Sequence, residues 1–280
     1  MAETTGRPFV KMHGLGNDFV VLDARAGALA LTPALVAAIA DRRTGVGCDQ
    51  LVVIEPARSK GADIWMSIHN ADGSEVGACG NASRCVAWLL MEETGRAEVV
   101  IETKAGLLDA ERRGPSLVAV DMGPARLDWR DIPLARPQDT NHLDIAVGPL
   151  ADPVGIGMGN PHAVFFVDDV EAIDLARLGP GIEHHPLFPQ RTNVEIVRVR
   201  ADGRLRMRVW ERGAGITSAC GTGACAALVA AARRGLSGRA AEVVLDGGTL
   251  AIEWQDDDHV MMTGPVALSF SGRLDAGLLP

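Results

Sequence analysis

Two of the five cysteines, Cys79 and Cys220, occupy nearly matching runs, Ala78-Cys79-Gly80-Asn81 and Ala219-Cys220-Gly221-Thr222, each directly ahead of an apolar stretch. A thiol at a helix N-terminus meets unpaired backbone N–H groups and the positive end of the helix dipole, which favour the thiolate. A pair of such thiols suits inversion of a carbon stereocentre. One takes the proton from one face and the other delivers a proton to the opposite face, and the reverse reaction exchanges the roles. The backbone N–H groups at Gly80-Asn81 and Gly221-Thr222 can hold a substrate carboxylate and the charge that spreads onto it when the α-proton leaves. Glycine after each cysteine permits close approach.

The elements that position these thiols repeat along the chain. Asn17 to Gln50 spans 33 positions, as does Asn160 to Asn193, and Asn70 to Cys79 spans 9, as does Glu211 to Cys220. Between these blocks Gln50 to Asn70 spans 20 positions and Asn193 to Glu211 spans 18, a difference that one hairpin loop absorbs. The landmarks held in register imply two structurally alike halves. In the first half, strands are expected over 19–23, 50–54, 64–68, 99–103 and 117–121. Thr32-Pro33 opens a helix reaching Arg43, and a second helix runs from Gly80 to Glu93 and stops at Gly95. In the second half, strands are expected over 163–167, 194–200, 205–210, 243–245, 250–254 and 260–263, with helices over 170–178, ended by Gly179-Pro180, and 221–234. The alanine-rich face of the last helix implies close packing inside a curved sheet. The class is α+β, with two pseudo-symmetric domains. The boundaries are 1–122, completed by 265–280, and 123–264.

At 280 residues, 47% hydrophobic and 22% charged, the chain can bury two cores. A net charge of −9 without a Lys/Arg cluster argues against nucleic acid and acidic membranes as partners and leaves a small zwitterion compatible. No apolar run suits a bilayer span or a signal peptide, which points to the cytoplasm. Five cysteines form no disulfide framework, and their spacings lack the partners of a zinc site. Neither a metal nor another cofactor is expected.

The sequence resembles the diaminopimelate epimerases. The resemblance is carried by Lys11-Met-His-Gly-Leu-Gly-Asn-Asp-Phe19, Gly47-Cys-Asp-Gln50, Asn70-Ala-Asp-Gly-Ser-Glu75, Ala78-Cys-Gly-Asn81 with Arg84-Cys85, Met158-Gly-Asn-Pro-His162, Glu211-Arg-Gly-Ala-Gly215 and Ala219-Cys-Gly-Thr-Gly-Ala-Cys225. It implies two similar domains, each a curved, mostly antiparallel sheet wrapped around a central helix, with the active site between them, a homodimer, and cofactor-independent epimerisation of LL-diaminopimelate to the meso form. By the same resemblance Cys79 and Cys220 are the acid/base pair, with Cys220 the acceptor from LL substrate. His162 and Glu211 adjust the thiol pKa values. Asn17, Gln50, Asn70, Asn160, Asn193, Glu211 and Arg212 bind substrate together with Gly80, Asn81, Gly221 and Thr222. Arg212 suits a carboxylate and Glu211 an ammonium group.

Plainer readings stand beside these. Asn17, Asn70 and Asn160 adjoin glycines or turns, where asparagine serves the backbone. Glu211-Arg212 could be a solvated pair and His162 a satisfied loop histidine, while Cys48, Cys85 and Cys225 read as packing residues. Ile216 stands where the resembled family often has Glu, and Phe270 where it often has a tyrosine at the dimer contact. Proline or hydroxyproline racemases share the two-thiol logic, but their substrate lacks the distal amino acid group that the asparagine set suits. A thiol redox protein would place its cysteines closer together than 79 and 220. A pyridoxal phosphate racemase would need a phosphate-binding lysine context, and Lys11, Lys60 and Lys104 offer none. A silent binding protein would keep the pocket without exchanging protons.

Overall fold

The computed structural model describes residues 6–77, 79–275 and 277. The chain divides into two compact units, Met1–Val120 with Gly264–Pro280, and Asp121–Thr263. In chain order the elements are β1 (Arg7–Gly14), β2 (Asn17–Asp23), α1 (Pro33–Ala40), β3 (Gln50–Pro56), β4 (Ile64–Asn70), β5 (Glu75–Val76), α2 (Gly80–Thr94), β6 (Glu98–Thr103), β7 (Gly106–Gly114) and β8 (Leu117–Pro124). They continue with β9 (Ala146–Val147), β10 (Leu150–Ala151), β11 (Val154–Gly157), β12 (Pro161–Phe166), α3 (Leu175–Glu183), β13 (Asn193–Val199), β14 (Leu205–Glu211) and β15 (Gly215–Thr217). The last are α4 (Gly221–Arg233), β16 (Ala240–Leu245), β17 (Gly248–Trp254), β18 (His259–Pro265) and β19 (Ala267–Leu274). Strands predominate over helices, and the class is α+β.

The first unit orders its strands β19-β1-β2-β3-β4-β6-β7-β8, with β5 paired to β4. The second orders β11-β12-β13-β14-β16-β17-β18, with β15 paired to β14. Register repeats as well as order. The parallel β2/β3 ladder sets Phe19 opposite Gln50, and β12/β13 sets His162 opposite Asn193. The antiparallel β4/β5 pair sets His69 opposite Glu75, and β14/β15 sets Trp210 opposite Ile216. The two-residue slippage read from the sequence falls between β3 and β4 in one unit and between β13 and β14 in the other, the hairpin loops.

Each unit wraps its sheet around one helix. α2 packs on β1, β2, β6 and β7, and α4 on β11, β12, β13, β14, β16 and β17. Ten of the thirteen α4 residues are buried, including Ala224, Ala226, Ala227, Ala230 and Ala231, as a helix enclosed on all sides requires. Small side chains let the strands approach that closely. α2 ends at Gly95, whose φ of 72° is the left-handed conformation of a helix C-cap.

Two helices depart from the sequence expectation. α1 stops at Ala40 and not Arg43, because the Asp41 carboxylate accepts the amides of Arg43 (2.8 Å) and Thr44 (2.6 Å), turning the chain instead of continuing the helix. α3 begins at Leu175, capped by Asp174, and runs through Gly179-Pro180 to Glu183 instead of ending there. Gly179 is a contact residue: a Cβ there would lie 2.6 Å from the Trp210 ring. Beyond it, Glu183 accepts from Trp210 Nε1 (2.7 Å) and Gly213 N (3.0 Å), which holds the final turn in place. Among the described residues no helix is long and apolar enough to cross a membrane.

Candidate active site

Cys79 is the N-cap of α2 and Cys220 the N-cap of α4, both with extended backbone. The first helical bonds run from Ser83 N to the Cys79 carbonyl and from Ala224 N to the Cys220 carbonyl, so the amides of Gly80, Asn81, Gly221 and Thr222 stand outside the helical ladder and are available to an anion. All five cysteines are free thiols.

In the first unit the Cys79 thiol donates to Asn17 Oδ1 at 3.7 Å. Asn81 Nδ2 reaches the same oxygen at 3.3 Å, and the buried Arg84, one turn along α2, donates to Asn81 Oδ1 at 2.7 Å. Asn17 is oriented from its other end, where Nδ2 donates to Asp49 Oδ2 at 3.0 Å. Asp49 is tied to Asp18 through the Asp49 amide (2.9 Å), and Asp18 is paired with Lys11 and Arg42. Burial works to raise the Asp18 pKa, but Arg42, Lys11 and the Asp49 amide outweigh it and hold the carboxyl well below the usual range. Gln50 and Asn70 face each other across β3/β4, Gln50 Nε2 donating to Asn70 Oδ1 at 3.0 Å. Gln50 Oε1 is buried with no hydrogen-bond partner among the described residues, an acceptor open to a donor such as an ammonium group.

In the second unit the Cys220 sulfur accepts from Gly223 N (3.4 Å) and lies 3.5 Å from Thr222 Oγ1. Glu211 lies close enough for its charge to act on the thiol, and its Oε1 accepts from Thr217 Oγ1. Asn160 joins Thr222 (3.4 Å) and His162 Nε2 (2.8 Å), and His162 Nδ1 bonds Glu195 Oε1 at 2.7 Å. Asn193 is committed to backbone: Nδ2 donates to the Pro161 carbonyl at 3.0 Å and Oδ1 accepts from Arg212 N at 2.9 Å. It therefore braces the Arg212 backbone, while the exposed Arg212 guanidinium donates to the Gln190 carbonyl at 3.0 Å.

The expected lowering of the thiol pKa does not hold at Cys220. The residue is 5% exposed, and burial, Glu211 and Glu195 raise its pKa well above 9.0, outweighing the Thr222 hydroxyl and Gly223 amide. Desolvation with two nearby carboxylates exceeds what a helix terminus supplies. Burial likewise raises Glu211, with hydrogen bonds from Thr217 and Cys220 acting against it. Burial thus makes Glu211 and Cys220 each hold their proton more tightly. Cys48, Cys85 and Cys225 are buried, and burial pushes Cys48 to about 11 and Cys85 to about 12.

Sequence reasoning missed Glu195, Thr217, Asp49 and the contact of Arg84. Glu195 was legible as a charge inside the apolar run Val194–Val197. The repeat hid it, since Val164 pairs with Glu195 where Val21 pairs with Val52. Among the described residues no group of three or more His, Cys, Asp and Glu side chains is placed to hold a metal ion.

A family model described as diaminopimelate epimerase matches residues 9–127 and 154–269. A diaminopimelate epimerase of Rhodospirillum centenum is 64% identical over 274 residues, covering 98% of this chain and 94% of the relative. Another, from Acidiphilium cryptum, is 60% identical over 273 residues, with 98% of each covered. Among solved structures, a hydroxyproline epimerase from Agrobacterium vitis matches with a TM-score of 0.69 at 19% identity, covering 96% of this chain and 90% of that one, a likeness of fold.

Proposed function

The chain belongs to the diaminopimelate epimerase family, and from that membership we propose that it interconverts LL- and meso-diaminopimelate without a cofactor, Cys79 and Cys220 serving as the two bases. It is an isomerase of amino-acid biosynthesis. The observation that carries the assignment of the bases is the repeat itself: each unit presents one thiol as the N-cap of its enclosed helix, beside amides free to take a carboxylate.

From the LL substrate, Cys220 takes the α-proton as thiolate and Cys79 delivers one as thiol; the meso direction reverses both. The amides of Gly80, Asn81, Gly221 and Thr222 hold the reacting carboxylate and the charge that grows on it in the transition state. Glu211 and His162 set the proton affinity of Cys220, Glu211 through its charge. Asn17, Gln50, Asn70, Asn160 and Arg212 bind the remaining polar groups, with Asn193 holding Arg212 in place. The open acceptor of Gln50 and the exposed Arg212 support a long zwitterion with charges at both ends. We place the enzyme in the cytoplasm as a homodimer, supported by five free thiols and by the exposed Leu268 and Phe270 on β19.

Purified protein incubated with LL-diaminopimelate in deuterated water is expected to incorporate deuterium at one α-carbon while meso product accumulates. Cys79→Ala and Cys220→Ala should each abolish net epimerisation, and Cys85→Ala should keep it. Turnover in either of the first two variants, or exchange with hydroxyproline but not diaminopimelate, overturns the proposal.

A further inference from the structure

Glu195 is a buried charge that proton exchange between two thiols does not by itself require. It is 0% exposed on β13, flanked by Val194 and Ile196 in a strand buried over most of its length. Such a carboxylate persists only when paired. His162, also 0% exposed, donates from Nδ1 to Glu195 Oε1 at 2.7 Å, while Glu195 Oε2 has no hydrogen-bond partner among the described residues. On the far side of the ring, Nε2 lies 2.8 Å from Asn160 Oδ1. An acceptor faces each ring nitrogen, so the geometry aligns the ring to donate from both.

The direction of donation continues outward. With Oδ1 engaged by the ring, Asn160 turns Nδ2 to Thr222 Oγ1 at 3.4 Å, and the hydroxyl proton is left to point at the Cys220 sulfur 3.5 Å away. Glu195, His162, Asn160 and Thr222 thus form one chain in which every donor from His162 Nε2 outward faces the thiol. Gly223 is part of the construction, because a Cβ there would sit 2.9 Å from Glu195 Oε1 and 3.3 Å from Cys220 Sγ. The first unit has no such chain, since Val52 and Phe19 occupy the positions of Glu195 and His162.

We propose that Glu195 is a positioning residue, which fixes His162 as a double donor and thereby aims the Thr222 hydroxyl at the Cys220 sulfur, favouring the thiolate. This rests on the reading of Cys220 as a base. The groups facing that sulfur are Glu211 from β14, Glu195 from β13, and Thr222 and Gly223 of α4. His162 of β12 acts through Asn160.

Replacing Glu195 separates the chain from simple charge repulsion by sign. Loss of a nearby anion would, by Coulomb's law alone, make Cys220 easier to ionise. In the chain, Glu195→Gln removes the carboxylate that accepts from Nδ1, which frees Nε2 to accept. Asn160 then presents Nδ2 to the ring and Oδ1 to Thr222, and the hydroxyl is drawn off the sulfur.

The test is alkylation of substrate-free enzyme by iodoacetamide across an alkaline pH series, with the Cys220 peptide quantified by mass spectrometry. Glu195→Gln is expected to slow Cys220 alkylation about tenfold below its midpoint, a shift of about one pH unit upward. Thr222→Val should slow it in the same direction, Thr222→Ser should keep the parent profile, and the Glu195→Gln/Thr222→Val double variant should be no slower than the slower single. Faster or unchanged alkylation in Glu195→Gln overturns the proposal. So does an unchanged profile in Thr222→Val, which decides the matter if Glu195→Gln fails to fold. Because no substrate is present, these results stand apart from diaminopimelate turnover, whose failure would overturn the proposed function and leave the chain intact.

Discussion

Cys85 and Cys220 are both thiols that burial keeps protonated, with different consequences. Cys85, inside α2, is raised from 9.0 to about 12 by burial. Its pKa is higher folded than unfolded, so the unfolded chain loses the proton first as pH rises. The stabilising effect of keeping a neutral thiol is complete below pH 9.0 and is lost between there and about 12. The melting temperature should therefore fall across that alkaline range. Cys85→Ala should flatten that slope while lowering stability at neutral pH by about 1–2 kcal/mol through the small cavity. A slope unchanged in the variant would remove Cys85 as its source. Cys220 is in contact with Thr222 and Gly223, and its raised pKa means that thiolate forms late. Iodoacetamide should modify the Cys220 peptide only slowly at neutral pH, with the rate still climbing past pH 9.0. The spacing of Cys79 and Cys220 made both thiols legible. The surroundings that reverse the expected pKa change were not, because Glu211 arrives from another strand and burial is a tertiary property.

At the scale of elements, the strands that carry asparagines and the helices that follow each Cys-Gly pair were legible from period and turn residues. The departures have local causes. β1 (Arg7–Gly14) was missed because Lys11 and His13 interrupt its apolar pattern; Lys11 is buried only because Asp18 and the Gly47 carbonyl receive its ammonium group. β7 (Gly106–Gly114) carries Asp109, Glu111, Arg112 and Arg113, and reads as a charged loop. In α3, Gly179-Pro180 looks like a terminator, whereas the glycine exists to admit the Trp210 ring. Gly179→Ala should thus destabilise the second unit by about 1–3 kcal/mol, the usual range for forcing an atom into a filled contact. Urea unfolding followed by tryptophan fluorescence measures this, and a variant as stable as the parent would show that Trp210 can move aside.

For the whole molecule, Leu268 and Phe270 form an exposed apolar pair on β19. Phe270 is 49% exposed, its ring set edge-on to Phe9 at 6.0 Å between centroids. If β19 forms the dimer contact, Phe270→Asp should give monomers in sedimentation analysis, and an unshifted dimer would place the contact elsewhere. The final strand has a second consequence. β19 pairs along β1, so the first and last strands of the chain are neighbours, whereas Asp121–Thr263 is uninterrupted. On the ribosome the second unit can close while the first still waits for its last strand. Until β19 emerges, the nascent β1 edge is an unpaired template for misassociation. Translation thus finishes this protein from the middle outward.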